Sequence, residues 1–277
     1  MKYAIFALSF LLLFACTSDE TPITDYSAEN DQQIIEYIAK HNLNASKSSS
    51  GLYYVIDEVG TGDKITATSD ISVKFKGSLI DGTVFENTEG EIVSFNLQGL
   101  IQGWVEGLQL FNHGGKGTLL IPAHLGFGNS TKENIPAGSV LIFEIEIIDY
   151  KVLNDEQIEA YIDEQEITNV LRSESGLYYQ IEELGSGEYP SGTADVTVVY
   201  KGYFMDGEVF DESSPNGVFF NLSQVIPGWT EGIQYFKQGG KGKLFVPSHL
   251  GYGIYDYNGI PGGSVLIFDV ELIDFID

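Results

Sequence analysis

Cysteine is almost absent from this chain of 277 residues. Cys16 is the only one, so no disulfide can close within the molecule. Histidine is scarce too. Of the four, only His124 and His249 occupy matching contexts, His41 and His113 have no counterparts, and no other ligands cluster near them, so no metal site or cofactor is expected. Basic residues are few, with 14 Lys and Arg against 40 Asp and Glu and a formal net charge of −26. Such a surface repels phosphate backbones and no concentrated basic patch offsets it, which excludes nucleic acid as a partner. It reads as a solvated acidic exterior. Long apolar runs are missing as well. The longest, Ala4 to Ala15 with one interruption at Ser9, falls short of the roughly 20 residues a membrane helix needs. No tract is collagen-like or Gln/Asn-rich, and the 43% hydrophobic content is that of a globular chain. No nucleophile elbow supports Ser–His–Asp catalysis. The glycine pairs Gly114-Gly115 and Gly239-Gly240, ahead of Lys116 and Lys241, lack Walker spacing and read as hairpin turns.

The N-terminus carries an address. Lys2 followed by the apolar run to Ala15 has the layout of an export signal, assigned to residues 1–15. Leu13-Phe14-Ala15-Cys16 resembles the lipobox of bacterial lipoproteins. That resemblance implies cleavage before Cys16, lipidation of its thiol, and anchoring in a bacterial cell envelope, at the outer membrane on either the periplasmic or the cell-surface side. Residues 16–29 are polar and acidic and form a tether.

Beyond the tether the chain repeats. Gly51, Gly77, Trp104, Pro136 and Phe143 recur as Gly176, Gly202, Trp229, Pro261 and Phe268, a constant offset of 125 (229 − 104). One register over so long a unit means two copies of a domain, at 30–150 and 151–277, and not a solenoid of short units. Each is long enough to bury its own core.

Each copy opens with a short helix, read from the apolar stripes Ile34, Tyr37, Ile38 and Ile158, Tyr161, Ile162. Asn30 followed by Gln33, and Asn154 followed by Gln157, have the spacing of an N-cap with its capping box. These helices are expected to pack beside their own domains, since neither sustains heptads. Strands follow: Ile71, Val73, Phe75 and Val196, Val198, Tyr200 alternate with mostly polar neighbours, and Asp81-Gly82 and Asp206-Gly207 mark tight turns. In the last strand of each copy, Leu141, Phe143, Ile145, Ile147 and Leu266, Phe268, Val270, Leu272 line one face, with Glu144, Glu146 or Asp269, Glu271 on the other. One wet face and one buried face predict an antiparallel sheet over a short helix beginning at Trp229, an α+β arrangement.

The ordered blocks VTVVYKGYFMDGEVFDES, VFFNLSQVIPGWTEGIQYF, GGKGKLFVPSHLGYG and GIPGGSVLIFDVEL resemble the FKBP-type peptidyl-prolyl cis–trans isomerases. The resemblance implies two FKBP-like domains, each a bent sheet of about five antiparallel strands around a short helix, each preceded by a short helix. It implies isomerisation of X–Pro bonds in exported proteins, with a non-catalytic peptide-binding chaperone or envelope scaffold as the alternative. Its partners would be Pro-containing polypeptides and macrolides of the FK506 and rapamycin type, and the protein would be a monomer.

Such a pocket needs no nucleophile. Rotation about an X–Pro bond must break amide resonance, a barrier of about 18–20 kcal/mol. Whatever favours the twisted amide over both planar forms is a catalyst, and an apolar box with a few placed donors meets that need. By the resemblance, Trp229 is the floor under the pyrrolidine ring, Tyr200, Phe210 and Phe268 are aromatic walls, and Val225 and Ile226 offer a backbone edge. Tyr252 is the hydroxyl donor to a substrate carbonyl, and Asp211 orients Tyr200 or polarises the amide. Ile260 belongs to the flap before Pro261, where Tyr255 and Tyr257 stand near the residue preceding the proline. The first copy has Phe75, Phe85, Glu86, Leu100, Ile101, Trp104, Phe127, Ile135 and Phe143 at these positions. Both phenols are gone and the carboxylate is one methylene longer. The first copy is therefore expected to bind apolar peptide and isomerise it poorly.

Overall fold

The computed structural model describes residues 24–277. The export signal, Cys16 and the first part of the tether lie outside the described residues. No helix among the described residues is long and apolar enough to cross a membrane.

In the first repeat, helix α1 (Ser27–His41) leads into strands β1 (Ser46–Lys47), β2 (Tyr53–Glu58), β3 (Asp70–Leu79), β4 (Val84–Asn87) and β5 (Val93–Asn96). Helix α2 (Gln102–Leu108), β6 (Lys116–Ile121) and β7 (Leu141–Ile147) complete it. The second repeat has α3 (Tyr150–Glu164), β8 (Val170–Arg172), β9 (Tyr178–Glu183), β10 (Asp195–Tyr203), β11 (Val209–Glu212), β12 (Val218–Asn221), α4 (Pro227–Gly232), β13 (Lys241–Val246) and β14 (Leu266–Ile276). Each sheet is antiparallel and the two share one order, β1-β2-β6-β7-β3-β4 with β5 also on β3, and β8-β9-β13-β14-β10-β11 with β12 also on β10. A body of five strands is thus extended to seven by a short outer strand and by division of the segment after the long β3 or β10.

The alternation in β7 and β14 explains both faces. Leu141, Phe143, Ile145 and Ile147 pack with Trp104 in one core, as Leu266, Phe268, Val270 and Leu272 do with Trp229. The opposite face is only partly wet. Ile142 is buried with Ile34 of α1, Tyr53 and Leu120, and Ile267 with Ile158 of α3, Tyr178 and Phe245. The leading helices thus cover part of the backs of their own sheets, and the acidic side chains of this face are exposed in the first repeat (Glu144, Glu146) and partly exposed in the second (Asp269, Glu271).

Asn30 and Asn154 are not caps. The helices start earlier, behind Tyr26 and Asp149, so both asparagines sit inside the helix and are buried. Asn30 Nδ2 donates to the Gly138 carbonyl (3.0 Å) while its Oδ1 accepts from the Ala123 N–H (2.8 Å). Asn154 does the same with Gly263 (3.0 Å) and Ser248 (2.8 Å). Their Gln partners three residues on accept from the same amides. The spacing therefore marks a docking clamp, which a loop about a hundred residues away completes.

The pocket helices lie close to their sheets because glycine faces the strand. A Cβ on Gly107 would fall 2.6 Å from a Leu119 methyl, and one on Gly232 2.7 Å from Leu244. Helix α4 begins at Pro227, two residues before Trp229, since at a first helical position proline's missing N–H is no loss and its fixed φ fits.

Candidate active site

Strand β10 delivers Tyr200, β11 delivers Phe210 and Asp211, α4 delivers Trp229, and β14 delivers Phe268. The Tyr200 N–H is held by the Ser213 hydroxyl at 2.9 Å, which fixes the strand where the ring must point. Trp229 is the hub. Tyr200 meets it edge to face at 5.0 Å and 86°, Phe268 at 5.2 Å and 89°, and Phe220 tilts against it at 5.5 Å. Phe210 stands perpendicular to Phe268 at 5.5 Å. These perpendicular pairs set positive ring edges against negative faces, the favoured arrangement for aromatic quadrupoles. Trp229, Phe268 and Ile260 are buried, and Tyr200, Phe210, Val225 and Ile226 are partly buried against them.

The walls close because residue 202 has no side chain. Gly202 pairs with Asp211, and a Cβ there would lie 2.8 Å from both Phe210 and Phe268. Gly77 plays the same part between Phe85 and Phe143.

The polar edge is a hydrogen bond. Tyr200 Oη donates to Asp211 Oδ2 at 2.6 Å, a short contact that a charged acceptor strengthens. Burial first, then this bond and the carboxylate's charge, raise the Tyr200 phenol well above its ordinary value, so it stays a donor at any physiological pH. Tyr252 is raised as well, by burial and then by Tyr257 and Asp211. It stands at the rim, 39% exposed and stacked on Tyr257 at 4.9 Å, with no hydrogen bond to the Tyr200–Asp211 pair among the described residues. Val225 is extended and Ile226 precedes α4. The Ile226 carbonyl is taken by Trp229 N–H (2.9 Å) and Thr230 N–H (3.1 Å), while among the described residues no group accepts the Ile226 N–H.

The first repeat keeps the box. Phe75 and Phe143 meet Trp104 edge to face at 5.2 and 5.1 Å, and Phe85 stands on Phe143 at 5.5 Å. Leu100, Ile101 and Phe127 pack against it and Ile135 is buried within it. Glu86 is exposed and no side-chain hydrogen bond reaches it among the described residues, since Phe75 has no hydroxyl to offer.

Two aromatic neighbours escaped the sequence reading. Phe220 touches Trp229, and Phe204 tilts on Phe210 at 5.0 Å. Phe220 has a signal, because Phe95 recurs at the same offset and also meets its tryptophan, at 6.3 Å. Phe204 has none, its counterpart being Leu79. The matched histidines knit structure together: His124 Nε2 lies 2.9 Å from the Ser50 carbonyl and His249 Nε2 2.8 Å from that of Ser175.

A sheet wrapped on a short helix, with a tryptophan floor ringed by perpendicular aromatics, forms an apolar recess with the Tyr200–Asp211 pair at one edge. The family model described as FKBP-type peptidyl-prolyl cis-trans isomerase matches residues 62–148 and 187–273. The chain belongs to this family and carries its domain twice. It is 50% identical over 107 residues to FKBP-type peptidyl-prolyl cis-trans isomerase FkpA of Escherichia coli (strain K12), covering 38% of this chain and 40% of that protein. With the probable FkpA of Neisseria meningitidis serogroup B it shares 44% over 126 residues, covering 43% and 46%. The crystal structure of FkpA from Escherichia coli aligns at 42% identity over 45% of this chain and 60% of that one, with a TM-score of 0.41. The chain thus spans less than half the length of these curated relatives.

Proposed function

We propose that the chain is a peptidyl-prolyl cis–trans isomerase of the bacterial cell envelope, lipid-anchored through Cys16, that acts on X–Pro bonds of exported polypeptides in its second repeat. The observation that carries this reading is the Tyr200–Asp211 hydrogen bond at the edge of the Trp229 box, which the first repeat lacks. The proline ring lies on Trp229 between Tyr200, Phe210 and Phe268. Removed from water, the planar amide loses solvation of its charge-separated form, which lowers the cost of twisting. The Ile226 N–H and the Tyr252 hydroxyl hold carbonyls of the bound peptide, and Asp211 fixes the Tyr200 ring. Macrolides with a proline-like ring compete for the same floor.

The first repeat has the grip, and at Ile101 the same backbone arrangement as Ile226, without the two phenolic donors. Losing a donor at a reacting oxygen costs up to about 3–4 kcal/mol. Trp104, Phe75 and Phe143 therefore hold apolar segments with little turnover, which makes this repeat a client-holding module and the whole chain a chaperone as well as an isomerase. Isomerisation of a Leu-Pro or Phe-Pro peptide tests the assignment. Turnover that survives both Trp229→Leu and Tyr252→Phe removes it, and suppression of aggregation without any turnover leaves a chaperone alone.

A further inference from the structure

Each repeat has a flap ahead of its buried isoleucine, and the two flaps are tied differently. In the first, the flap base is held by Asn129, whose amide exchanges hydrogen bonds with the backbone of Thr24, just upstream of α1 (3.0 and 3.1 Å). The matching residue in the second is Ile254, which has no amide to offer. It lines instead a cavity of about 140 Å³ between the repeats, bounded by Asp70, Ser72 and His113 on one side and Tyr150 and His249 on the other.

Two side chains of the second repeat reach over to the first. Lys151 Nζ, at the start of α3, donates to Asp63 Oδ2 at 2.8 Å in an exposed ion pair. Tyr255 Oη donates to Asp70 Oδ1 at 2.7 Å, joining residues 185 apart in sequence. Asp70 is already oriented, because Asn96 Nδ2 donates to the same oxygen at 2.9 Å. The second repeat has the same pair, Asn221 on Asp195 at 2.8 Å, yet no tyrosine reaches it. From Tyr255 the flap runs directly to the site. Tyr257 and Ile260 exchange backbone hydrogen bonds (2.9 and 2.8 Å), the Gly262 N–H donates to Asp256 Oδ1 (2.9 Å), Tyr257 stacks on Tyr252, and Ile260 packs with Trp229.

We propose that the first repeat sets the conformation of the second repeat's flap through the Asp70–Tyr255 hydrogen bond, making these two positioning residues for which side chain is accepted before the proline. The proposal rests on the second repeat being the working site. With the cavity beside it, the flap base has room to shift, and of the two ties across the gap this bond is the one made by the flap itself, since Lys151–Asp63 holds the start of α3. A client held on the first repeat would then bear on the second through it.

The test is a double-mutant cycle in the full chain. Tyr255→Phe and Asp70→Ala should each change the kcat/KM ratio for Phe-Pro over Ala-Pro peptides about threefold, with the double variant no further from wild type than either single, because both break one bond. Asp195→Ala, an equal lesion at a position without the tyrosine, should leave the ratio unchanged. Amide exchange at Tyr257 and Ile260 is read in parallel and should quicken about threefold in Tyr255→Phe and Asp70→Ala alone. Additive effects on the ratio, or unchanged exchange, overturn the proposal. A wild-type chain without turnover overturns the functional reading instead, while the exchange still decides the tie.

Discussion

Tyr200 carries the contrast between the two repeats in a single oxygen. Its ring does what Phe75 does, an edge set against a tryptophan face at 5.0 and 5.2 Å, and only the hydroxyl adds the bond to Asp211. Tyr200→Phe should therefore keep the fold and the binding of apolar peptide while lowering kcat/KM roughly three- to tenfold, the scale of one ordinary hydrogen bond of about 1 kcal/mol at a partly exposed edge. Steady-state kinetics on a Phe-Pro peptide checks this, and an unchanged kcat/KM would leave Asp211 without a role through Tyr200. Gly202 tests the walls: Gly202→Ala drives a methyl into two rings now 2.8 Å from its place, and should cost about 1–3 kcal/mol of stability and weaken peptide binding, measured by urea unfolding and titration. At this scale the sequence was informative. Aligning the repeats at their fixed offset showed which hydroxyls differ, because substitution at matched positions is visible without coordinates. Tyr255 was noted only as a flap residue, since its acceptor Asp70 belongs to the other repeat and no spacing links them.

The leading helices show where pattern stops short. Their apolar stripes were readable and predict packing on a sheet, which α1 and α3 do. The Asn-to-Gln spacing predicted a cap because a cap is the local partner that spacing allows; the real partners, Gly138 and Ala123 or Gly263 and Ser248, arrive from a distant loop. That distance makes each asparagine a clamp between helix and domain. Asn154→Ala orphans a buried carbonyl and a buried N–H together, and at about 1–3 kcal/mol for each such group should destabilise the second repeat by roughly 2–6 kcal/mol. Urea unfolding of the full chain, followed through Trp229 in a Trp104→Phe background, reads the loss. A shift in midpoint no larger than that of an exposed substitution would mean water replaces the clamp.

Across the whole molecule the phenols are unevenly distributed. Burial, reinforced by nearby carboxylates, raises Tyr178 and Tyr235 to about 12 and lifts Tyr200 and Tyr203 still further, all in the second repeat. In the first repeat Tyr37 and Tyr53 are raised, chiefly by burial. A phenol whose folded value exceeds its ordinary 10.0 favours the neutral form in the fold. Its stabilisation is thus complete below pH about 10 and is lost as pH climbs toward the folded value. The second repeat should lose stability first between pH 10 and 12, seen by comparing urea midpoints through Trp229 or Trp104 alone. Parallel loss in both repeats would contradict this. Only two residues, Ile148 and Asp149, separate β7 from α3, so the repeats are joined without a flexible linker. The equal offsets showed that the domain occurs twice, whereas the contacts between the copies could not be read from a pattern that describes each copy alone.

Isomerisation of a Phe-Pro peptide by the full chain, compared between Trp104→Leu and Trp229→Leu with folding checked by circular dichroism, is the most direct measurement. Trp229→Leu should abolish most of the turnover and Trp104→Leu should leave it nearly intact. Loss of activity in Trp104→Leu with retention in Trp229→Leu would place the chemistry in the wrong half of the molecule.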